Sequence, residues 1–499
     1  MSQHNGSHPT ESANRDPSSV AAYYLELLEP VYRNRDFVII GGPVVGLAGL
    51  ANSLKGLGAS RLFLLGSSMG TGPPPDPETA EWYSFDHRSE RVSDEFRLYE
   101  STLRDLPEAA RTALDRFDPH KQAQAIGAIL LSDVPDIDGR ARYARRPSAW
   151  LALEDKIAIE SFWETAKVAK APSETIAIDA DSLALARRRL DRGSGVVVAG
   201  DAREGIHGGA EFTRWIRSND DVPETLSFFR AHCDRVRVMP FLEGVPCSIH
   251  GMVFPDHVAV FRPVEMIVLR RPETGAFVYA GIATFWDPSD ADRRSLRTLA
   301  RRVGEVLRDR VDYRGAFTID GVLCADGFLP TEMNPRIGAG FAPLSMALPG
   351  LPLTALALAV AHGEKLDYRG EWLESAIVEA SDRHRFGRGS LPLHLEIGET
   401  SSRRVVTEAE QIRLAGPDEA GNGDFVLGPG PLGCFFMFQS DSASLPPGTR
   451  FAPWAVRAFA LADRELGTGI GAVEPAPDVR AELGGGDRVG DNPVDLNDS

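Results

Sequence analysis

Asp320, Glu332, Asn334 and Arg336 are of the types that together handle a cation and a phosphate or carboxylate. They lie in one stretch, GAFTIDGVLCADGFLPTEMNPRIGAG, from Gly315 to Gly340. Ala316–Leu323 reads as an apolar strand with one acid, Asp320, inside it. Ala325-Asp326-Gly327 is a turn signal, and Phe328–Met333 reads as the returning strand. An acid in an apolar strand is costly to bury unless something cationic meets it. Glu332 and Asn334 stand two apart, so on a strand they share a face, and hairpin pairing brings Asp320 opposite them. Two carboxylates and an amide, all oxygen donors with room left for water and phosphate oxygens, suit Mg²⁺ rather than zinc. Arg336 adds a planar fork shaped for phosphate or carboxylate. A hairpin with scattered surface acids explains each acid singly, but not the four at this spacing.

The elements that must position these residues alternate along the chain. Phe37–Ile40 is a fully apolar strand followed by Gly41-Gly42-Pro43-Val44-Val45-Gly46. An amphipathic helix over about 47–57 comes next, with Gly58 as its stop, and then a strand over 61–65. This is a unit of the parallel-sheet type. Its glycine pattern is not that of a dinucleotide fingerprint, and the second strand ends in Gly66 where a ribose-binding acid would stand, which argues against a nicotinamide enzyme. The loop Gly66-Ser-Ser-Met-Gly-Thr-Gly72 carries donors for a carboxylate or phosphate, and is equally well a plain loop. Residues 78–147 read as helical and polar. Within them, Arg140-Ala-Arg-Tyr-Ala-Arg-Arg146 is either a solvated face or the edge of an anion site. The sequence predicts a helix opening at 151–159, an antiparallel strand over 258–269, a helix over 287–310 and an apolar helix over 342–362. A mixed α/β cap follows over 390–470.

The chain of 499 residues is long enough for two or three domains. The expected division is a disordered tail over 1–30, a Rossmann-like domain over 31–150, a domain over 151–365 that carries the Asp320–Arg336 residues, a cap over 366–473 and a disordered tail over 474–499. The fold class is α/β in the broad α+β sense. A net charge of −17 argues against nucleic acid or an anionic membrane as partner. No apolar run is long enough to span a bilayer, and the first residues read as no signal peptide. Cys233, Cys247, Cys324 and Cys434 show no metal-ligand spacing and fit reduced thiols in the cytoplasm.

The Glu-x-Asn-x-Arg run, with an acid twelve residues upstream on the adjacent strand, resembles the metal-binding end of the ATP-grasp superfamily. The resemblance covers about 151–362. It implies ATP as substrate and two Mg²⁺ ions held by Asp320, Glu332 and Asn334, with Arg336 stabilising an acyl phosphate. It also implies that Lys156 contacts nucleotide phosphate, and that backbone near Met239 and Leu242 reads the adenine edge, with Glu243 near the ribose. Pro240 has no N–H to offer. Arg270 and Arg271 are candidates for gripping the substrate carboxylate, or for a surface turn. One departure stands out. Ala199-Gly200 occupies the place of the family's Lys-Pro, and Arg203 or His207 would have to supply the missing cation.

The chain as a whole looks most like the pheganomycin-type peptide ligases. The implied activity is ATP-dependent carboxylate–amine ligation on amino acids or peptides in antibiotic or other secondary metabolism; dimers are common in that family, while the sequence itself leaves open whether this chain forms a homodimer. A phosphotransferase, a bicarbonate-using carboxylase and a non-catalytic ATP-binding protein are the alternatives.

Overall fold

The computed structural model describes residues 17–127, 133–205 and 208–482. His207 lies outside them.

Three larger sheets and one two-stranded pair, Asp136–Ile137 with Arg140–Ala141, carry the described residues. The first is parallel, with strands in the order Glu81–Ser84, Leu62–Gly66, Phe37–Ile40, Gln124–Ile126. Phe37, Val38, Ile39 and Ile40 are all fully buried, as expected of a strand covered on both faces. The helix after it runs Val44–Gly56, starting three residues earlier than the sequence suggests. Residues 78–147, read as helical, hold the helices Val92–Arg104 and Glu108–Phe117 together with two strands of this sheet. The second sheet is antiparallel, in the order Glu174–Ala177, Arg235–Pro240, Val196–Gly200, Thr213–Ile216.

The third sheet has twelve strands and carries the hairpin of interest at one edge. From Gly327–Asn334 the order is Gly315–Cys324, Val245–Val253, Val264–Arg270 and Phe277–Ala283. It continues without a break into Gly387–Leu393, Gly433–Ser440, Gly423–Gly430, Ser401–Glu408 and Gln411–Leu414. The residues expected to form a separate cap therefore extend the central sheet. The strand expected over 258–269 is two, Val258–Val260 and Val264–Arg270. Between them Arg262 is buried against Asp287 and Asp382, and Pro263 has no N–H for a ladder. Likewise the apolar helix over 342–362 is two, Phe341–Ala347 and Leu353–His362, split at Pro349-Gly350-Leu351-Pro352.

Part of each expected tail is ordered. Pro17–Tyr32 is a helix. Its Tyr24 and Tyr32 are fully buried, their hydroxyls donating to the carbonyls of Tyr368 and Ala355. At the other end Glu474–Pro475 pairs with Leu269–Arg270, and Arg480 pairs with Asp292 at 2.7 Å. Apolar anchors in the first case and strand pairing in the second outweigh a polar composition.

Candidate active site

The hairpin fixes the geometry of the site. Only Ala325 and Asp326 separate its strands, and in the register this sets, Asp320 faces Glu332 and Thr318 faces Asn334. A bulge after Asp320 leaves Thr331 extra on the returning strand. Asn334 donates its amide N–H to Asp320 Oδ2 at 2.9 Å. Ser248, register partner of Asp320 on the neighbouring strand, donates its hydroxyl to Oδ1. Burial first, and the charge of Glu332 second, push the Asp320 carboxyl up to about 6. Two carboxylates paired across strands in this way lack positive charge.

Two cations reach the pair from outside the hairpin. Lys156 Nζ lies 2.9 Å from Glu332 Oε2. Arg336 donates to Asn334 Oδ1 at 2.9 Å and to Glu154 Oε2 at 3.3 Å. Glu154 is buried, and its other oxygen accepts from Arg146. Burial alone would raise the Glu154 carboxyl, but Arg336 and Arg146 outweigh it and hold the group below the ordinary carboxylate range. Arg146 and Arg336 thus both pair with Glu154 and Lys156 with Glu332, while Asp320 is met by the neutral donors Asn334 and Ser248.

Lys156 does not sit on a helix, contrary to expectation. The segment breaks into Ser148–Leu151, a 3₁₀ turn Ala152–Glu154 and a helix Ile159–Thr165. Asp155 makes the break by accepting the N–H groups of Ile157 and Ala158 at 2.7 and 2.9 Å. Its second oxygen takes the N–H of Ala202 at 3.3 Å, tying this turn to the glycine-rich loop after Gly200.

The loop 335–340 passes close over the sheet. A Cβ on Gly338 would come 2.3 Å from Thr318 Oγ1, and one on Gly340 would come 2.2 Å from His250 Cε1. The Gly340 N–H donates to His250 Nε2 at 3.2 Å. Burial lowers the His250 imidazole to about 3, so it is neutral.

The remaining expected residues are placed elsewhere. Arg203 is spent on the carbonyls of Ala231 and Cys233 and on Asp234, so it does not join the Asp320 cluster. Met239 is a buried strand residue opposite Val197, and the Phe241 N–H is taken by Gly195 O at 3.0 Å. Glu243 pairs with Arg270, whose guanidinium lies 4.8 Å from the Phe241 ring centroid. Phe241 stacks on Trp215 with centroids 4.1 Å apart. Arg270 therefore belongs with the aromatic pair Trp215 and Phe241, and Leu242 lies in the chain between Phe241 and Glu243. Arg271 donates to Ile470 O at 2.8 Å and ties down the C-terminal segment.

The sequence did not point to Glu154, Ser248 or Arg237, and it offered Arg146 only as part of the basic run 140–146. Arg237 is the register partner of Ala199, where the cation is missing. Its buried guanidinium donates to Glu160 Oε1 at 2.7 Å and to the carbonyl of Thr331, next to Glu332, at 3.0 Å. The available signal was an arginine alternating with valines in RVRVMP, on a strand too apolar to leave it in water.

The donor set fits a hard divalent cation: two facing carboxylates and an amide, with no thiol or imidazole among them. Among the described residues no cluster of three or more His, Cys, Asp or Glu side chains could hold a metal, so this pair with its asparagine is the candidate.

No protein-family model matches the sequence, and no curated protein matches it. Solved structures do. The ADP complex of purK, an N5-carboxyaminoimidazole ribonucleotide synthetase, aligns with 87% of this chain and 98% of its own at a TM-score of 0.50 and 11% identity. The fold is that of the ATP-grasp enzymes. The biotin carboxylase from Campylobacter jejuni, in a β-γ-ATP complex, aligns with 83% of this chain and 89% of its own, at a TM-score of 0.50 and 12% identity. At such identities the likeness is one of ATP-grasp architecture, a mixed α/β chain with a large antiparallel sheet. Among the described residues no helix is long and apolar enough to cross a membrane.

Proposed function

We propose that this chain is an ATP-dependent ligase that joins a carboxylate to an amine, releasing ADP and phosphate. The observation that carries the reading is the Asp320–Glu332 cross-strand pair, bracketed by Lys156 and by an Arg336 that Glu154 and Asn334 hold in place. Asp320 and Glu332, with the Asn334 amide, would hold Mg²⁺, which when bound neutralises phosphate charge. Lys156 then leaves Glu332 for a phosphate oxygen. Arg336 presents its fork to the carboxylate being activated and to the oxyanion formed when the amine attacks. Oxygen of the carboxylate bonds to the γ-phosphorus as ADP leaves, and nitrogen of the amine then bonds to the acyl carbon as phosphate leaves. Amino acids or peptides are the proposed substrates, in the manner of pheganomycin-type peptide ligases.

The test is ADP release by the full chain with ATP and Mg²⁺, across a panel of amino acids and short peptides, with mass spectrometry of each mixture. ADP release that needs two partners and yields their condensation product supports ligation. A stable phosphorylated product without an amine makes it a phosphotransferase. A Glu332→Ala protein that releases ADP as fast as the wild type removes the site assignment.

A further inference from the structure

The run 140–146 is not a solvated face. Arg140 is fully buried and bonded to Asp115, Asp118 and Asp138, each at 3.0 Å. Arg145 pairs with Asp133, and Arg146 with Glu154. Arg142 differs from all three. Only 8% of it is exposed, and its Nε and Nη1 are buried with no hydrogen-bond partner among the described residues. Among the described residues no carboxylate forms an ion pair with it, since nearby Asp133 is taken by Arg145 and Ser148. A buried guanidinium without a counter-charge is expensive, and the missing charge calls for a source.

Arg142 stands at the edge of the parallel sheet, beside the carboxyl ends of its strands. Its backbone bridges Ala125, beside the end of the Gln124–Ile126 strand, and its N–H is fixed on Pro135 O at 3.0 Å. Tyr99, whose hydroxyl feels the Arg142 charge, accepts the Gly41 N–H at 2.8 Å and donates to Leu65 O. That ring thus spans the carboxyl ends of the Phe37–Ile40 and Leu62–Gly66 strands. Ser68, just past the second of these, is buried with a hydroxyl that also has no partner. Carboxyl ends of parallel strands are where open α/β sheets take their ligands. The same edge is covered from the C-terminal strands: Thr71 donates to Pro429 O at 2.8 Å, and the Gly72 N–H to Thr400 at 3.0 Å. Arg142 is also close enough to Arg146 to feel its charge, and Arg146 reaches Arg336 through Glu154.

We propose that Arg142 is the counter-charge for a second anionic group on the acyl donor, so that the donor is a dianion. It is a dicarboxylate or a phosphorylated carboxylic acid, with one end at Arg336 and the other at Arg142. The assignment rests on the ligase reading and narrows its substrate class. Both kinds of second group offer paired oxygens to a guanidinium fork, which a single carboxylate already engaged at Arg336 does not.

Thermal-shift titrations of the full chain with acetate, glutarate and inorganic phosphate at constant ionic strength test it, on wild type, Arg142→Lys and Arg142→Met. Glutarate or phosphate is expected to raise the wild-type midpoint where acetate does not, the stronger of the two identifying the second group. Arg142→Met should weaken that response by at least ~10-fold, and Arg142→Lys by less. With no anion present, Arg142→Met should melt no lower than wild type, because it removes an unpaired buried charge. Equal responses in wild type and Arg142→Met, no wild-type response to either anion, or an Arg142→Met chain that fails to fold would each overturn the proposal. ADP release assayed with the same acids separates the two readings. Arg142-dependent binding without ADP release removes the ligase and leaves the anion site. Turnover of monocarboxylates that Arg142→Met leaves unchanged does the reverse.

Discussion

The ammonium of Lys156 lies 2.9 Å from Glu332 Oε2, on a carboxylate proposed above to hold a divalent cation. A tethered cation on a metal ligand competes with the metal until phosphate draws it away. Lys156→Met should therefore bind Mn²⁺ without nucleotide about tenfold more tightly, equivalent to ~1.4 kcal/mol. ADP release should fall on the order of 100-fold, because a phosphate-facing charge is lost. Titration by electron paramagnetic resonance reads the first, and an unchanged Mn²⁺ affinity would mean that the ammonium does not compete.

Glu154 is the buried link between Arg146 and Arg336. Glu154→Gln leaves both guanidiniums short of a charge and should cost about 3 kcal/mol in urea unfolding. Glu332→Gln, by contrast, loses a partly exposed pair and relieves Asp320 of a like charge, so it should cost under ~1 kcal/mol. If the two variants unfold at the same urea concentration, the relay does not hold the site.

His250 gives the chain a pH dependence with a definite sign. Its folded pKa, about 3, lies below the ordinary 6.5, so the unfolded chain binds the proton first. Stability from this group is complete above pH ~6.5 and falls with pH until about 3, losing ~2 kcal/mol by pH 5. His87 and His362 are lowered too, through burial, and act in the same direction. The quantity to measure is therefore the slope difference between wild type and His250→Gln in urea melts from pH 7.5 to 5. Glu154, held below the ordinary carboxylate range, acts below that window: its stability is present above pH ~4.3 and is lost only in more acid solution.

Gly340→Ala would place a methyl 2.2 Å from His250 Cε1 and force the 335–340 loop off the sheet. The expected cost is ~1–3 kcal/mol of stability. Turnover should fall more than nucleotide binding does, since Arg336 rides on that loop. Parallel calorimetry and ADP release separate the two effects, and a variant that binds and turns over as wild type would show that the loop has slack.

What the sequence showed of this site came from short-range rules. Two-residue periodicity put Glu332 and Asn334 on one face, and the tight turn at Ala325-Asp326 left little freedom in where Asp320 could pair. The partners that complete the cluster obey no such rule. Glu154 and Arg336 are 182 positions apart, and each alone is an ordinary charged residue. The break at Asp155 was hidden because one carboxylate, bonded back to its own turn, interrupts an otherwise helical pattern. The continuous sheet was hidden for a third reason. The pairing of Gly281–Ala283 with Gly387–Gly389 spans over a hundred residues and leaves no local trace.

That same pairing governs how the chain can be cut. A fragment ending after His362 would keep every residue of the Asp320 cluster, yet it would bare the Phe277–Ala283 strand along the side that Gly387–Leu393 now covers. It would also strip the apolar face that packs on Phe451 and Phe459. An uncovered strand of this kind templates pairing with other chains, so the fragment should precipitate rather than work. The last useful truncation point lies past Pro475, and even there Arg480 loses its hold on Asp292. The first 362 residues are thus not a transplantable part, and swapping C-terminal segments between chains of this fold would mean matching a strand edge as well as an apolar face.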